Sequence, residues 1–179
     1  MTETFKEILL FLKNPILEKD PNTSLSYRLK KFSQLLVISL ITGFAFAIII
    51  GIITTTGLLT IENHAMEDIM DQFSLSFVFL IAVVIAPILE ELIFRAPLTL
   101  FKKRSSFKVA FYAFTLIFGL VHISNYEMTT QILLFTPILV APQVFLGAYF
   151  GYIRVRFGLI WSIALHASFN GILMSFDFF

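Results

Sequence analysis

The chain has 179 residues, 58% of them hydrophobic and only 14% charged, with 22 Phe and a mean hydropathy of +0.88; a soluble domain carries about a quarter charged residues, so water is not its main solvent. Its formal net charge of +1 offers no footprint for a nucleic acid, and its length allows one domain. The absence of cysteine excludes disulfides, a thiol nucleophile, Cys-ligated zinc and sulfur-held iron clusters, leaving carboxylate, imidazole, hydroxyl and amide to carry any chemistry.

In chain order, Phe5, Ile8, Leu9 and Leu12 recur at helical spacing while Lys6, Glu7 and Lys13 face elsewhere, which predicts an amphipathic helix lying on a membrane surface. Pro15, Pro21 and Asn22 end it. Residues 1–33 are read as an N-terminal cytoplasmic and interfacial segment, and 34–179 as a single transmembrane domain. A cleaved signal peptide is not expected, because the apolar run starts some thirty residues in and continues past Ala45 and Ala47. A helix needs roughly 20 apolar residues to cross a bilayer, and about five such runs follow. They cover 34–58, with no charge; 74–100, punctuated by Pro87 and Pro97; 107–125; 131–153, with Pro137, Pro142 and Gln143; and 157–176. Backbone groups in lipid must be satisfied within their own segment, so these runs are helices. The predicted class is all-α, a polytopic bundle. Gly147 and Gly151 have the spacing that lets two membrane helices approach closely.

Twelve of the 13 basic residues fall in the N-terminal segment (Lys6, Lys13, Lys19, Arg28, Lys30, Lys31), between the second and third runs (Lys102, Lys103, Arg104, Lys108) or between the fourth and fifth (Arg154, Arg156). The alternate loops hold Glu62, Glu67, Asp68, Asp71 and Glu127, with no Lys or Arg. Cytoplasmic loops are enriched in Lys and Arg, which predicts a cytoplasmic N-terminus and an outer C-terminus; the plasma (inner) membrane is the expected location.

The thirteenth basic residue, Arg95, lies inside a span with Glu90 and Glu91, and two further spans contain His122 and the pair His166 and Asn170. Each ionisable group near the bilayer centre costs at least about 2.5–3.5 kcal/mol, which makes it a functional hypothesis by default. Glu91 and Arg95 are four apart and can pair across one helix face. Glu90 points about 100° away and is left without a partner on its own helix, the position of a general base. Phe118 shares a face with His122, as His166 does with Asn170. No H-E-x-x-H or G-x-S-x-G occurs, and Asp20, Asp68, Asp71 and Asp177 all lie outside the apolar cores. Ser168 is read as a packing position and His64 as an ordinary solvated residue.

The three pairs stand in order as Glu90-Glu91-x-x-x-Arg95, Phe118-x-x-x-His122 and His166-x-x-x-Asn170, each on its own span. This set resembles the CPBP family of intramembrane endopeptidases, which includes the CAAX prenyl endopeptidases of the Rce1 type, bacteriocin-processing enzymes and the Abi proteins, and the resemblance covers about residues 76–175. It implies that Glu90 and His122 polarise a water for attack on a peptide carbonyl and that His166 and Asn170 stabilise the oxyanion. Glu91, Arg95 and Phe118 then support the site. The older family label of metalloprotease implies zinc held by Glu90, His122 and His166; resemblance to the prenyl endopeptidases favours the metal-free mechanism with no cofactor.

The resemblance implies a membrane peptide or protein as substrate, prenylated at a CAAX terminus in the eukaryotic members, although no residue here reads a prenyl group. Water must reach the site, and the charge map predicts a cavity open to the cytoplasm. Two other readings of the same residues are a non-catalytic adaptor or bacteriocin-immunity protein, and a small transporter using Glu90 as a proton site.

Overall fold

Apolar runs of this length have one way to satisfy their backbone in lipid, and among the described residues every regular element of the computed structural model is a helix. It describes residues 1–61, 69 and 72–177, the last two by backbone alone. His64, Glu62, Glu67, Asp68 and Asp71 lie outside the described residues. The elements are α1 (Thr2–Lys13), α2 (Leu25–Thr55), α3 (Leu75–Phe79), a π turn (Leu80–Ile85), α4 (Ala86–Phe94), a 3-10 turn (Ala96–Leu100), α5 (Arg104–Val121), a 3-10 turn (His122–Asn125), α6 (Thr130–Leu139), α7 (Ala141–Phe157) and α8 (Leu159–Asp177).

Among the described residues four stretches are long and apolar enough to cross a membrane, namely Leu25–Thr55, Leu75–Leu100, Arg104–Asn125 and Thr130–Phe157, and Leu159–Ser175 is a shorter apolar helix. The exterior suits lipid. Ile48, Ile52, Leu134 and Ile160 are more than half exposed, while Glu91, Arg95, Ser162 and His166 are buried. This inverts the soluble pattern, in which charged groups are the last to be fully buried. The chain is a helical integral membrane protein.

Three local departures from the predicted runs have identifiable causes. The run 131–153 is two helices, α6 and α7, because Pro142 cannot donate the next helical hydrogen bond and the ladder breaks at Val140. The run 107–125 leaves the α conformation at His122, so the imidazole sits on a 3-10 turn at the helix end. The α2 helix starts at Leu25, ahead of the apolar run at 34, so the 33/34 boundary falls inside a continuous helix.

The α1 helix divides its apolar residues between the bundle and the exterior. Thr4, Ile8 and Phe11 are buried, whereas Phe5 and Leu9 are exposed. Phe11 meets Phe111 and Tyr152 edge-on at 5.2 Å each. Polar contacts pin the helix beside α2 and α5: Lys31 Nζ lies 2.6 Å from Glu7 Oε2, the Thr4 hydroxyl donates to Gln34 Oε1 (2.6 Å), and the Tyr112 hydroxyl donates to the Leu12 carbonyl (2.7 Å).

At the centre, α7 packs against α2, α5 and α8, and glycine sets how closely. A Cβ on Gly151 would stand 2.7 Å from Phe111 Cε2, and one on Gly147 would stand 2.8 Å from both Phe118 Cδ1 and Arg95 Nη2. Across the interface, a Cβ on Gly119 would overlap Val144 Cγ2. Small residues are how membrane helices gain close contact. Gly147→Ala and Gly151→Ala are each expected to destabilise the fold by about 1–3 kcal/mol through overpacking. Gly51→Ala, whose Cβ meets nothing within 4 Å, is expected to be neutral or stabilising. Thermal denaturation in detergent compares the three.

Candidate active site

The Glu91 carboxylate, fully buried, is the point from which the polar interior is built. Arg95 Nη1 lies 3.6 Å from Glu91 Oε1 across one helical turn of α4, the pairing that their spacing predicts. Two groups from α8 complete the cluster. His166 Nδ1–H donates to Glu91 Oε1 (3.1 Å), and the Ser162 hydroxyl shares its proton between Glu91 Oε2 and the Phe150 carbonyl oxygen (2.9 Å to the latter). A carboxylate in low dielectric is tolerable only with its lone pairs occupied in this way.

Arg95 is equally buried, and its Nη1 and Nη2 have no hydrogen-bond partner among the described residues. Its charge rests on Glu91 and on aromatic faces, with the guanidinium carbon 3.8 Å from the Phe118 ring centre and Phe150 and Phe94 further off. Gly147 leaves the space that this requires. Phe118 thus supports Arg95 on one side and touches both imidazoles, His122 at 4.9 Å and His166 at 5.9 Å between ring centres. Phe150 stacks on His166 at 4.4 Å.

Glu90 points away from Glu91 and Arg95 into a cavity of about 390 Å³ that His166 also lines. Its Oε2 is buried, makes no hydrogen bond among the described residues and lies 3.8 Å from His166 Nε2. His122 and Asn170 line the same cavity, so the four residues singled out in the sequence as reactive share one space. The orientation of each ring follows from its other partner. The Phe118 carbonyl accepts from His122 Nδ1–H (2.7 Å), which leaves Nε2 with a free lone pair when the ring is neutral. His166 Nδ1 is committed to Glu91, which turns Nε2 toward Glu90.

Asn170 is oriented by a defect in the neighbouring span. Ala86 N–H bonds to the Ile81 carbonyl, a π-type step. In that register the next donor is Pro87, which has no N–H, and the Ala82 carbonyl is left without a helical partner. Asn170 Nδ2 supplies one at 2.9 Å. One amide hydrogen is thereby used, and the second amide hydrogen and Oδ1 remain. In lipid, freed carbonyls near a proline are regularly met by a neighbouring helix.

Three contributors went unassigned in the sequence. Ser162 precedes His166 by one helical turn, a signal that the i, i+4 rule carries. Asn125 and Gln143 line the cavity, yet amides near helix ends have no spacing signature. Ser168 does not line it. Among the described residues no three His, Asp or Glu side chains are arranged to hold a metal ion, Glu90, His122 and His166 included.

The cavity occupies one half of the bundle only. Its residues run from Glu90 back to Ala82, from Phe118 on to Asn125, from Phe150 back to Gln143 and from His166 on to Met174. None lies beyond these limits on the side of Lys102, Lys103, Arg104, Arg154 and Arg156. That half is filled by Arg95, Phe107 and Phe111, each at most 1% exposed. The cavity lining thus lies in the half away from the basic loops, because charge in the loops says nothing about which half of the bundle is packed solid.

Glu91→Ala is expected to cost about 3–5 kcal/mol, since it strands the Arg95 charge. Adding Arg95→Met should recover part of that loss, as read by thermal denaturation of the single and double variants.

Residues 72–172 match the family model described as type II CAAX prenyl endopeptidase Rce1-like. Neither the curated proteins nor the solved structures give a match.

Proposed function

The chain belongs to the Rce1-like family of type II CAAX prenyl endopeptidases, and from that membership we propose an intramembrane endopeptidase in which Glu90 and His122 activate the attacking water and His166 and Asn170 hold the oxyanion. One observation carries the reading: Glu90 Oε2 is buried and without a hydrogen bond, and stands 3.8 Å from His166 Nε2 in a cavity shared with His122 and Asn170. An unpartnered carboxylate oxygen in such a place has the geometry of a base waiting for a proton donor.

Water adds to the peptide carbonyl carbon as Glu90 takes one of its protons, and His122 Nε2 accepts a hydrogen bond from the other. The carbonyl oxygen becomes an oxyanion. The uncommitted amide hydrogen of Asn170 and a hydrogen on His166 Nε2 stabilise it, a role in which a single donor can be worth about 3–4 kcal/mol. With Nδ1–H already directed at Glu91, His166 serves the oxyanion through Nε2 when that nitrogen also carries a hydrogen. Collapse breaks the C–N bond as Glu90 returns its proton to the leaving amine. Glu91, Arg95, Ser162 and Phe118 act through His166 and Phe150 as positioning residues. No step uses a metal.

Membrane peptides from cells carrying wild-type protein or Glu90→Gln are compared by proteomics. A cleavage product present only with wild type is expected. On that substrate, Glu90→Gln and His122→Ala should each lower kcat by at least about 10²-fold, and Asn170→Ala by about 10²–10³-fold. Biological function retained by Glu90→Gln would favour an adaptor instead, because the amide still hydrogen-bonds. A metal chelator should leave cleavage unchanged, and activity lost to it and restored by zinc would overturn the metal-free step.

A further inference from the structure

We infer that Gln143 is a substrate-binding residue of the cavity, its side-chain oxygen accepting a hydrogen bond from a backbone N–H of the peptide about three residues from the scissile bond. The peptide itself comes from the proteolytic reading, on which this inference rests.

Packing of α7 on α5 decides which way Gln143 points. A Cβ on Gly119 of α5 would overlap Val144 Cγ2 and stand 3.3 Å from the Val140 carbonyl oxygen, so Val140 and Val144 occupy the face that meets α5. Gln143 lies about 100° round the helix from Val144. It falls in a row with Leu146 and Phe150, all three lining the cavity, and steps of three and four are those of one helix face. Phe150 stacks on His166 at 4.4 Å. Gln143 stands seven residues earlier on the same helix, which is about 10 Å along its axis. An extended peptide advances about 3.3 Å per residue, so about three residues of substrate bridge the gap between the reacting groups and Gln143.

The end of the Gln143 amide that faces its own backbone is the nitrogen, because it lies 3.2 Å from both the Leu139 and the Val140 carbonyl oxygens, where an amide oxygen would be repelled. The amide thus spends its hydrogens on the chain and keeps Oε1 as an acceptor. The other polar groups that line the cavity leave that role open. In the proposed reaction Glu90 takes a proton, His122 Nε2 accepts from the water, and His166 and Asn170 donate to the oxyanion. Every peptide unit brings a donor as well as an acceptor, and an N–H taken out of water without a partner costs free energy. Gln143 Oε1 supplies one such partner. Being neutral, it does so without adding a second carboxylate to compete with Glu90 for the proton of the water.

A synthetic peptide spanning the sequence cleaved by wild-type protein is assayed in detergent with wild type, Gln143→Met and Gln143→Leu. It is also made as a series with a single backbone N-methyl group at each residue near the scissile bond, on either side. Both variants are expected to raise KM about 5–10-fold with kcat within about twofold, the mark of a contact held equally in the ground and transition states. One N-methyl group about three residues from the scissile bond should raise KM on wild type by a like factor and add nothing further in Gln143→Met. Unchanged KM in both variants, or N-methyl effects that add to Gln143→Met at every position, would overturn the inference. So would loss of the fold in both variants on thermal denaturation, which assigns the amide to its own helix. Each of these results leaves wild-type cleavage, and with it the proteolytic reading, in place. A search that finds no peptide cleaved by wild type and spared by Glu90→Gln removes that reading, and this inference with it.

Discussion

The Glu91 carboxylate is the constraint on which the polar interior depends. It is fully buried, and its two oxygens are shared among Arg95 of its own helix and Ser162 and His166 of α8. In water each of these groups would have many alternatives. Inside lipid the alternatives vanish, so the α4–α8 contact is held in one register by electrostatics rather than by apolar packing, which lipid tails imitate well. That register decides where His166 Nε2 points and hence what stands opposite Glu90.

Two adjacent glutamates consequently do opposite things. Glu91 is saturated with partners and serves as an anchor, while Glu90, one residue earlier and about 100° round the helix, keeps a buried oxygen without one. A single carboxylate could not combine both states. The same division recurs on α8, where Ser162 binds inward to the anchor and Asn170 reaches across to the Ala82 carbonyl. The π turn before Pro87 supplies that carbonyl, so an irregularity in one span orients an amide on another.

The asymmetry of the bundle follows from what fills each half. Aromatic rings and the Arg95 guanidinium close the side of the basic loops, with Gly147 and Gly151 allowing α7 close enough to seal it. On the other side the partners thin out and a cavity remains. A hydrolytic site in a membrane needs water without exposing its whole polar interior to lipid, and a bundle solid in one half and hollow in the other meets both conditions.

The spans, the helical class, the Glu91–Arg95 pairing and the isolation of Glu90 were readable from the chain, because bilayer thickness and the 3.6-residue period are local rules that act on consecutive residues. So was the membership of Glu90, His122, His166 and Asn170 in one set, since each stands out as a polar exception in an apolar run. Only the tertiary structure decided that Ser162 completes the Glu91 shell, that Asn170 spends a hydrogen on Ala82, that α1 meets the bundle through Ile8 and Phe11, and which half of the bundle holds the cavity. Those outcomes depend on distances between residues far apart in the chain, where neither periodicity nor hydropathy carries information and packing volume alone chooses.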